Sequence, residues 1–268
     1  MLWNAKNGEL QVSGKTMDYV SFGTGEKTMV MLPGVGDGLK TVRGMAAAMA
    51  ANYRQLAEEY TVYMFSRVRE LTEGYTTRQM AEDLAEGMEL LGLRDAYVVG
   101  VSMGGMIAQF LAIDHPERVG RLALMVTEPR ANDLIREVIG RWLAMAEEGD
   151  YGGILTDTME RSYSENYLKK IRKAYPLLIR MGGPKDYTRF RIQAEACLNH
   201  DAMDLLGQIS CPTLVIGGEQ DRIVGAEASR ELARRIPGSK LYMYPDYGHG
   251  LYDEAKDLLP RLKHFGRK

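Results

Sequence analysis

Ser102, Asp221 and His249 lie far apart along the 268-residue chain, yet together they have the residue types needed for acyl transfer. A serine hydroxyl is a weak nucleophile at neutral pH. It needs a base within hydrogen-bond reach, and that base needs an acid to orient it. Ser102 sits in Gly100-Val-Ser-Met-Gly-Gly105, a Gly-x-Ser-x-Gly pattern. The β-formers Tyr97, Val98 and Val99 precede it, and an apolar helical pattern through Met106, Ile107, Phe110 and Leu111 follows. A sharp strand-to-helix turn there places the hydroxyl above the sheet and the orphan N–H groups of the helix beneath it. The glycines remove collisions that such a turn creates. A plainer reading makes Ser102 the N-cap of a buried helix. An acid and a histidine in the right places decide between the two.

His249 lies in Asp246-Tyr-Gly-His-Gly250, just past the last strand-like stretch. Asp221 ends Gly217-Gly-Glu-Gln-Asp221, just past the stretch before it. Other histidines are weaker bases on position: His115 in a polar turn, His200 facing either a pocket or water, and His264 near the end. Glu128 and Asp246 compete with Asp221, but Asp246 is too close in sequence to His249 for an easy bond to its ring.

The intervening pattern supplies the elements that must hold these groups. Glu9–Gly14 and Lys15–Phe22 alternate around Gly14 as a β-hairpin. Gly23–Thr28 lacks the ending and the helix of a phosphate loop and reads as a turn. Thr28–Leu32 is an apolar strand, followed directly by Pro33-Gly-Val-Gly-Asp-Gly38. Leu39 stands where a dinucleotide fingerprint needs its third glycine, so nicotinamide chemistry is not indicated. Bare backbone at a strand's C-terminal end nevertheless suits a ligand. A helix over Met45–Tyr60, a strand over Thr61–Phe65 and a helix from Thr76 to Leu91 come next. The Ser102 strand and helix follow, then an apolar strand over Val119–Val126. Strand and helix alternate from 28 to 126, which predicts βαβ units and a mostly parallel, doubly wound α/β sheet.

After Thr127-Glu-Pro129 the rhythm becomes helical to about Leu206. Ser164 reads as an N-cap, Pro176 as a kink or stop, and Gly182-Gly-Pro184 as a break. Strands resume at Pro212–Ile216 and Lys240–Tyr244, with helices over Ala226–Ile236 and Gly250–Phe265. The expected division is a core of 1–128 and 207–268, with an all-helical cap, or lid, of 129–206.

The net charge of −2, with both signs interspersed, gives no basic patch for nucleic acid. Cys197 and Cys211 have no metal-ligand spacing, and no metal or cofactor is expected. The N-terminal stretch has no apolar signal region, and no run is long enough for a membrane span. The expected setting is cytoplasmic, with a small-molecule substrate as partner and no indication of oligomeric state.

With nucleophile, acid and histidine in that order, the chain resembles the α/β-hydrolase fold family, in its capped esterase, lipase and carbon–carbon-bond hydrolase branch. The resemblance rests on the Ser102 elbow, Gly218–Asp221, Gly248-His249 and the loop at Pro33. It implies Ser102 as nucleophile, His249 as general base and then acid, and Asp221 as orienting acid. It further implies the backbone N–H groups of Val35 and Met103 as oxyanion donors. Many relatives carry His-Gly where this chain has Pro33-Gly34, so the loop lacks one side chain's support. The implied activity is hydrolysis of a small, partly apolar ester. The same triad also serves carbon–carbon bond, amide and peracid chemistry, or a low-turnover ligand-binding protein.

Overall fold

The computed structural model describes residues 2–267; Met1 and Lys268, the outer ends of the expected core segments, lie outside them. One eight-stranded sheet runs in the order β1-β2-β4-β3-β5-β6-β7-β8. Its strands are β1 Lys6–Val12, β2 Lys15–Phe22, β3 Lys27–Leu32, β4 Tyr60–Val68, β5 Ala96–Val101, β6 Val119–Met125, β7 Thr213–Gly218 and β8 Lys240–Tyr244. The hairpin β1–β2 is antiparallel and β2 pairs antiparallel with β4, while β3 to β8 are mutually parallel with β4.

The central strands are apolar on both faces, as a parallel sheet covered by helices requires. Met29, Met31, Tyr97, Val99, Ala123, Met125, Leu214 and Ile216 join one apolar cluster. Their alternate neighbours Val30, Leu32, Val98, Leu122, Leu124 and Val215 join the other. The first cluster is completed by α1 (Ala46–Asn52) and α11 (Leu258–Arg267). The second is completed by α2 (Thr77–Leu90), α3 (Met103–Asp114) and others. Thr76 starts α2 with a reciprocal capping box to Gln79, satisfying two orphan donors at once.

Five helices lie between β6 and β7: α4 Asp133–Glu147, α5 Tyr151–Ser162, α6 Glu165–Ile171, α7 Tyr175–Gly182 and α8 Thr188–Leu198. Ser164 caps α6 through the N–H of Tyr167. The two chain segments that enter and leave this insertion pair with each other. An Arg130–Asp201 bridge is flanked by Ala131 N–H to His200 O at 3.1 Å and Ala202 N–H to Pro129 O at 2.8 Å. α9 (Ala226–Arg235) and the short α10 (Leu251–Glu254) complete the chain.

Three expected helices are shaped differently. Only 46–52 of the stretch 45–60 is helical. From Tyr53 the chain runs through tight turns, Leu56 N–H to Tyr53 O among them, that bury Leu56 and Ala57 completely. Packing of those two side chains overrides the helical propensity. The closing helix is split at Ala255, because Pro260 has no N–H and fits only in a first turn, so α11 starts afresh at Leu258. Pro176 likewise begins α7 rather than ending a helix.

Candidate active site

Ser102 links β5 to α3 with φ 53° and ψ −123°. That conformation costs a non-glycine residue about 1–3 kcal/mol and persists only where the surroundings enforce it. The surroundings here are close. A Cβ on Gly104 would lie 2.1 Å from the carbonyl oxygen of Leu32, and one on Gly100 would lie 2.5 Å from that of Gly104. The Ser102 side chain makes no capping hydrogen bond to α3, so the N-cap reading does not hold. Ser102 instead lines a cavity of about 490 Å³, as does His249.

His249 Nδ1 is hydrogen-bonded to Asp221 Oδ2 at 2.9 Å, with both residues buried. The loops carrying them are tied together by Glu219 N–H to Tyr244 O and Gln220 N–H to Tyr247 O. Asp221 Oδ1 accepts the N–H groups of Ile223 and Val224, at 2.8 and 3.0 Å. Burial opposes ionisation of Asp221. The charge and hydrogen bond of His249, with those two N–H groups, outweigh it and hold the carboxyl below its usual range.

The Pro33 loop lies directly over the serine: a Cβ on Gly34 would be 3.4 Å from Ser102 Cβ. Val35 opens a short 3₁₀ turn, Val35–Gly38, and Met103 is the first residue of α3. An N–H at such a position has no acceptor within its own helix.

Residues 27–170 and 172–256 match the family model described as alpha/beta hydrolase fold. The chain belongs to the alpha/beta hydrolase family. It is 30% identical to BpoC of Mycobacterium tuberculosis (strain H37Rv), a protein named for non-heme bromoperoxidase activity, over 86% of this chain and 89% of that one. It is 26% identical to RutD of Caulobacter sp. (strain K31), named for carbamate hydrolase activity, over 84% of each. A crystal structure of an alpha/beta hydrolase enzyme from a Medee basin deep-sea metagenome library superposes with a TM-score of 0.86 at 20% identity, covering 97% of this chain and 98% of that one.

The competing groups in this hydrolase are placed elsewhere. His200 faces neither pocket nor water. It is buried, pairs Nδ1 with Thr77 Oγ1 at 2.9 Å and meets the Phe110 ring edge-on. Burial pulls its pKa down to about 3, so it stays neutral. His115 binds Glu82 at 3.0 Å on the surface, and His264 and Asp246 are exposed. Glu128 is fully buried close enough to Asp221 to feel its charge. The Asn132 N–H favours its charged form, yet neither carboxyl oxygen has a hydrogen bond of ordinary geometry. Burial first, then the charge of Asp221, push the pKa of Glu128 up to about 9.

The support of the Pro33 loop was not visible in the sequence pattern. Arg67 from β4 donates to Pro33 O, and its backbone N–H donates to Asp37 Oδ2. Arg189 from α8 donates to Asp37 Oδ2 at 3.0 Å, Asp37 O at 2.8 Å and Arg67 O at 2.9 Å. Gln193, also on α8, reaches Asp37 Oδ2 at 3.3 Å. Two arginines around one buried aspartate thus support the loop and fasten it to the helical insertion.

Among the described residues, no group of three or more His, Cys, Asp or Glu side chains is arranged to hold a metal ion, and no helix is long and apolar enough to cross a membrane.

Proposed function

We propose that this hydrolase cleaves carboxylic esters through an acyl-enzyme on Ser102. The observation that carries the reading is the 2.9 Å bond from His249 to Asp221 beside a cavity shared with a strained serine. Asp221 accepts from Nδ1–H of His249, which leaves Nε2 as the basic nitrogen. His249 takes the proton of Ser102 as the hydroxyl attacks the ester carbonyl. The N–H groups of Val35 and Met103 receive the negative charge that develops on the carbonyl oxygen. His249 then protonates the departing alkoxide, and water activated by the same ring releases the acid. In this reading residues 129–206 act as a lid over the site, and the two free cysteines suit a reducing cytoplasmic setting.

Removing the nucleophile tests the assignment. Ser102→Ala should lower kcat toward p-nitrophenyl esters by a factor on the order of 10⁴ or more. It should also abolish labelling by a fluorophosphonate. A variant that hydrolyses esters at the wild-type rate overturns the mechanism. BpoC and RutD, 30% and 26% identical, are named for non-heme bromoperoxidase and carbamate hydrolase activity, so substrates for both belong in the assay panel. Hydrogen peroxide with a carboxylic acid, and a carbamate, are measured beside the esters. An ester preference supports the proposal; turnover of either alternative alone replaces it.

A further inference from the structure

The even mixing of charges along the chain stops between Asn166 and Lys185. Six bases and no acid stand there, in a chain whose net charge is −2. Most of the stretch is one helical run. α6 passes through a 3₁₀ turn at Arg172–Ala174 into α7, and Ile171, Arg172, Ala174 and Tyr175 all keep right-handed helical backbone. Side chains three, four and seven places apart therefore share a face. Leu168 and Tyr175 are seven apart and buried. They hold the run to the protein, with Arg172 paired to Glu160 and Glu165 at 2.7 and 2.6 Å.

The opposite face carries two neighbouring stripes, and every residue in them is exposed. Lys169, Lys173 and Arg180 make one. Ala174, Leu177, Leu178 and Met181 make the other. Arg172 is the one base of the run with an ion pair among the described residues, so the charge of the basic stripe is uncompensated. Leu177 and Met181, at 59% and 74%, are the most exposed large apolar side chains of the described residues. Neither stripe is needed to hold the helix in place. An apolar ridge beside a row of free cations is the pattern of a helix that lies in a charged interface.

We infer that the run 165–182 docks the protein onto a bilayer surface containing anionic lipid. Lipid phosphates answer the basic stripe, and the acyl region receives Leu177, Leu178 and Met181. A soluble polyanion would satisfy the bases and leave the ridge in water. A fluid interface also accepts a protruding ridge without a matching groove. The placement connects to the site: α7 packs on the start of α5, where a Cβ on Gly152 would lie 3.5 Å from Ile179. Tyr151, Ile154 and Leu155 of α5 line the cavity beside Ser102. Docking itself does not depend on the chemistry at Ser102.

Sedimentation with vesicles tests it, using phosphatidylcholine alone and phosphatidylcholine mixed with phosphatidylglycerol. The wild type should bind the mixed vesicles and not the neutral ones. Raising salt from about 0.1 M to about 1 M, which shortens the screening length from about 10 to about 3 Å, should release it. Each base near an anionic surface is worth about fivefold in partitioning, so a Lys169→Gln, Lys173→Gln, Arg180→Gln variant should bind about a hundredfold more weakly. Leu177→Ser with Met181→Ser should weaken binding by about tenfold or more with every charge kept. Both variants should melt at the wild-type temperature and cleave p-nitrophenyl butyrate at the wild-type rate, which separates docking from folding and catalysis. Polyglutamate and duplex DNA serve as soluble polyanions. Capture by either of them without sedimentation on vesicles overturns the lipid assignment. So does the absence of sedimentation, or vesicle binding that both folded variants retain in full.

Discussion

Glu128→Gln should stabilise this hydrolase, by an amount that grows with pH. The carboxyl follows β6, is fully buried, and titrates at about 9 rather than its ordinary 4.5. Between those values the folded chain holds a proton that the unfolded chain has released. Fewer protons on the unfolded state mean that stability falls as pH rises through this window. At 1.36 kcal/mol per pKa unit, keeping the acid neutral costs about 3 kcal/mol at pH 7, about 1 at pH 5 and about 5 at pH 8. Below 4.5 both states are protonated and the cost disappears. Glutamine has nearly the same shape and never ionises, so it removes the whole dependence. For a chain of this size each kcal/mol shifts Tm by roughly 2–4 °C, so the variant should melt roughly 6–12 °C higher at pH 7. At pH 5 the gain should shrink to roughly 2–4 °C. Thermal unfolding followed by circular dichroism at pH 5, 7 and 8 reads this slope. A difference in Tm that is the same at all three, of either sign, refutes the neutral-acid assignment, since packing changes alone carry no pH dependence.

Asp221→Asn should keep the fold but present the wrong nitrogen of His249 to the serine, lowering kcat on p-nitrophenyl butyrate by a factor on the order of 10⁴ with KM little changed. Arg189→Leu should strip buried Asp37 of its charge partner from α8. Loss of about 3 kcal/mol is expected, at the low end for a broken buried pair because Arg67 and Gln193 remain, and calorimetry should show a Tm lower by roughly 6–12 °C. The loosened Pro33 loop should also reduce kcat by up to about 10²-fold, since it carries one of the two proposed oxyanion donors. Arg189→Lys should rescue little of either effect, because one ammonium cannot serve the four oxygens that the guanidinium reaches on Asp37, Arg67 and Val68.

Local rules made much of this molecule readable. Period-two alternation around Gly14 marks the hairpin, and β2 and β8 begin and end where the residue types change, at Lys15–Phe22 and Lys240–Tyr244. The Ser102 elbow is legible because its glycines are required by contacts within a few residues and across one strand. The pairing of His249 with Asp221 follows from both lying at the C-terminal ends of adjacent parallel strands. What escapes such rules is decided by distant packing. Asp37, Arg67 and Arg189 come from three separate stretches, and nothing local distinguishes those arginines from solvated ones. The neutrality of Glu128 depends on burial from every side. Leu258 and Leu262 look like ordinary core residues, and only the assembled cavity shows that they face it.

The hydrogen-bonded seam between Pro129–Ala131 and His200–Ala202 brings the two ends of the helical insertion side by side. A foreign segment grafted between these points would need no linker and would leave every strand connection of the sheet intact. The sheet and the helical insertion are therefore separable stretches of polypeptide. The separation is incomplete, however: Trp142, Ile154 and Phe190 share one apolar cluster with α2 and α3. Any successful graft must bring its own greasy underside and an arginine to meet Asp37.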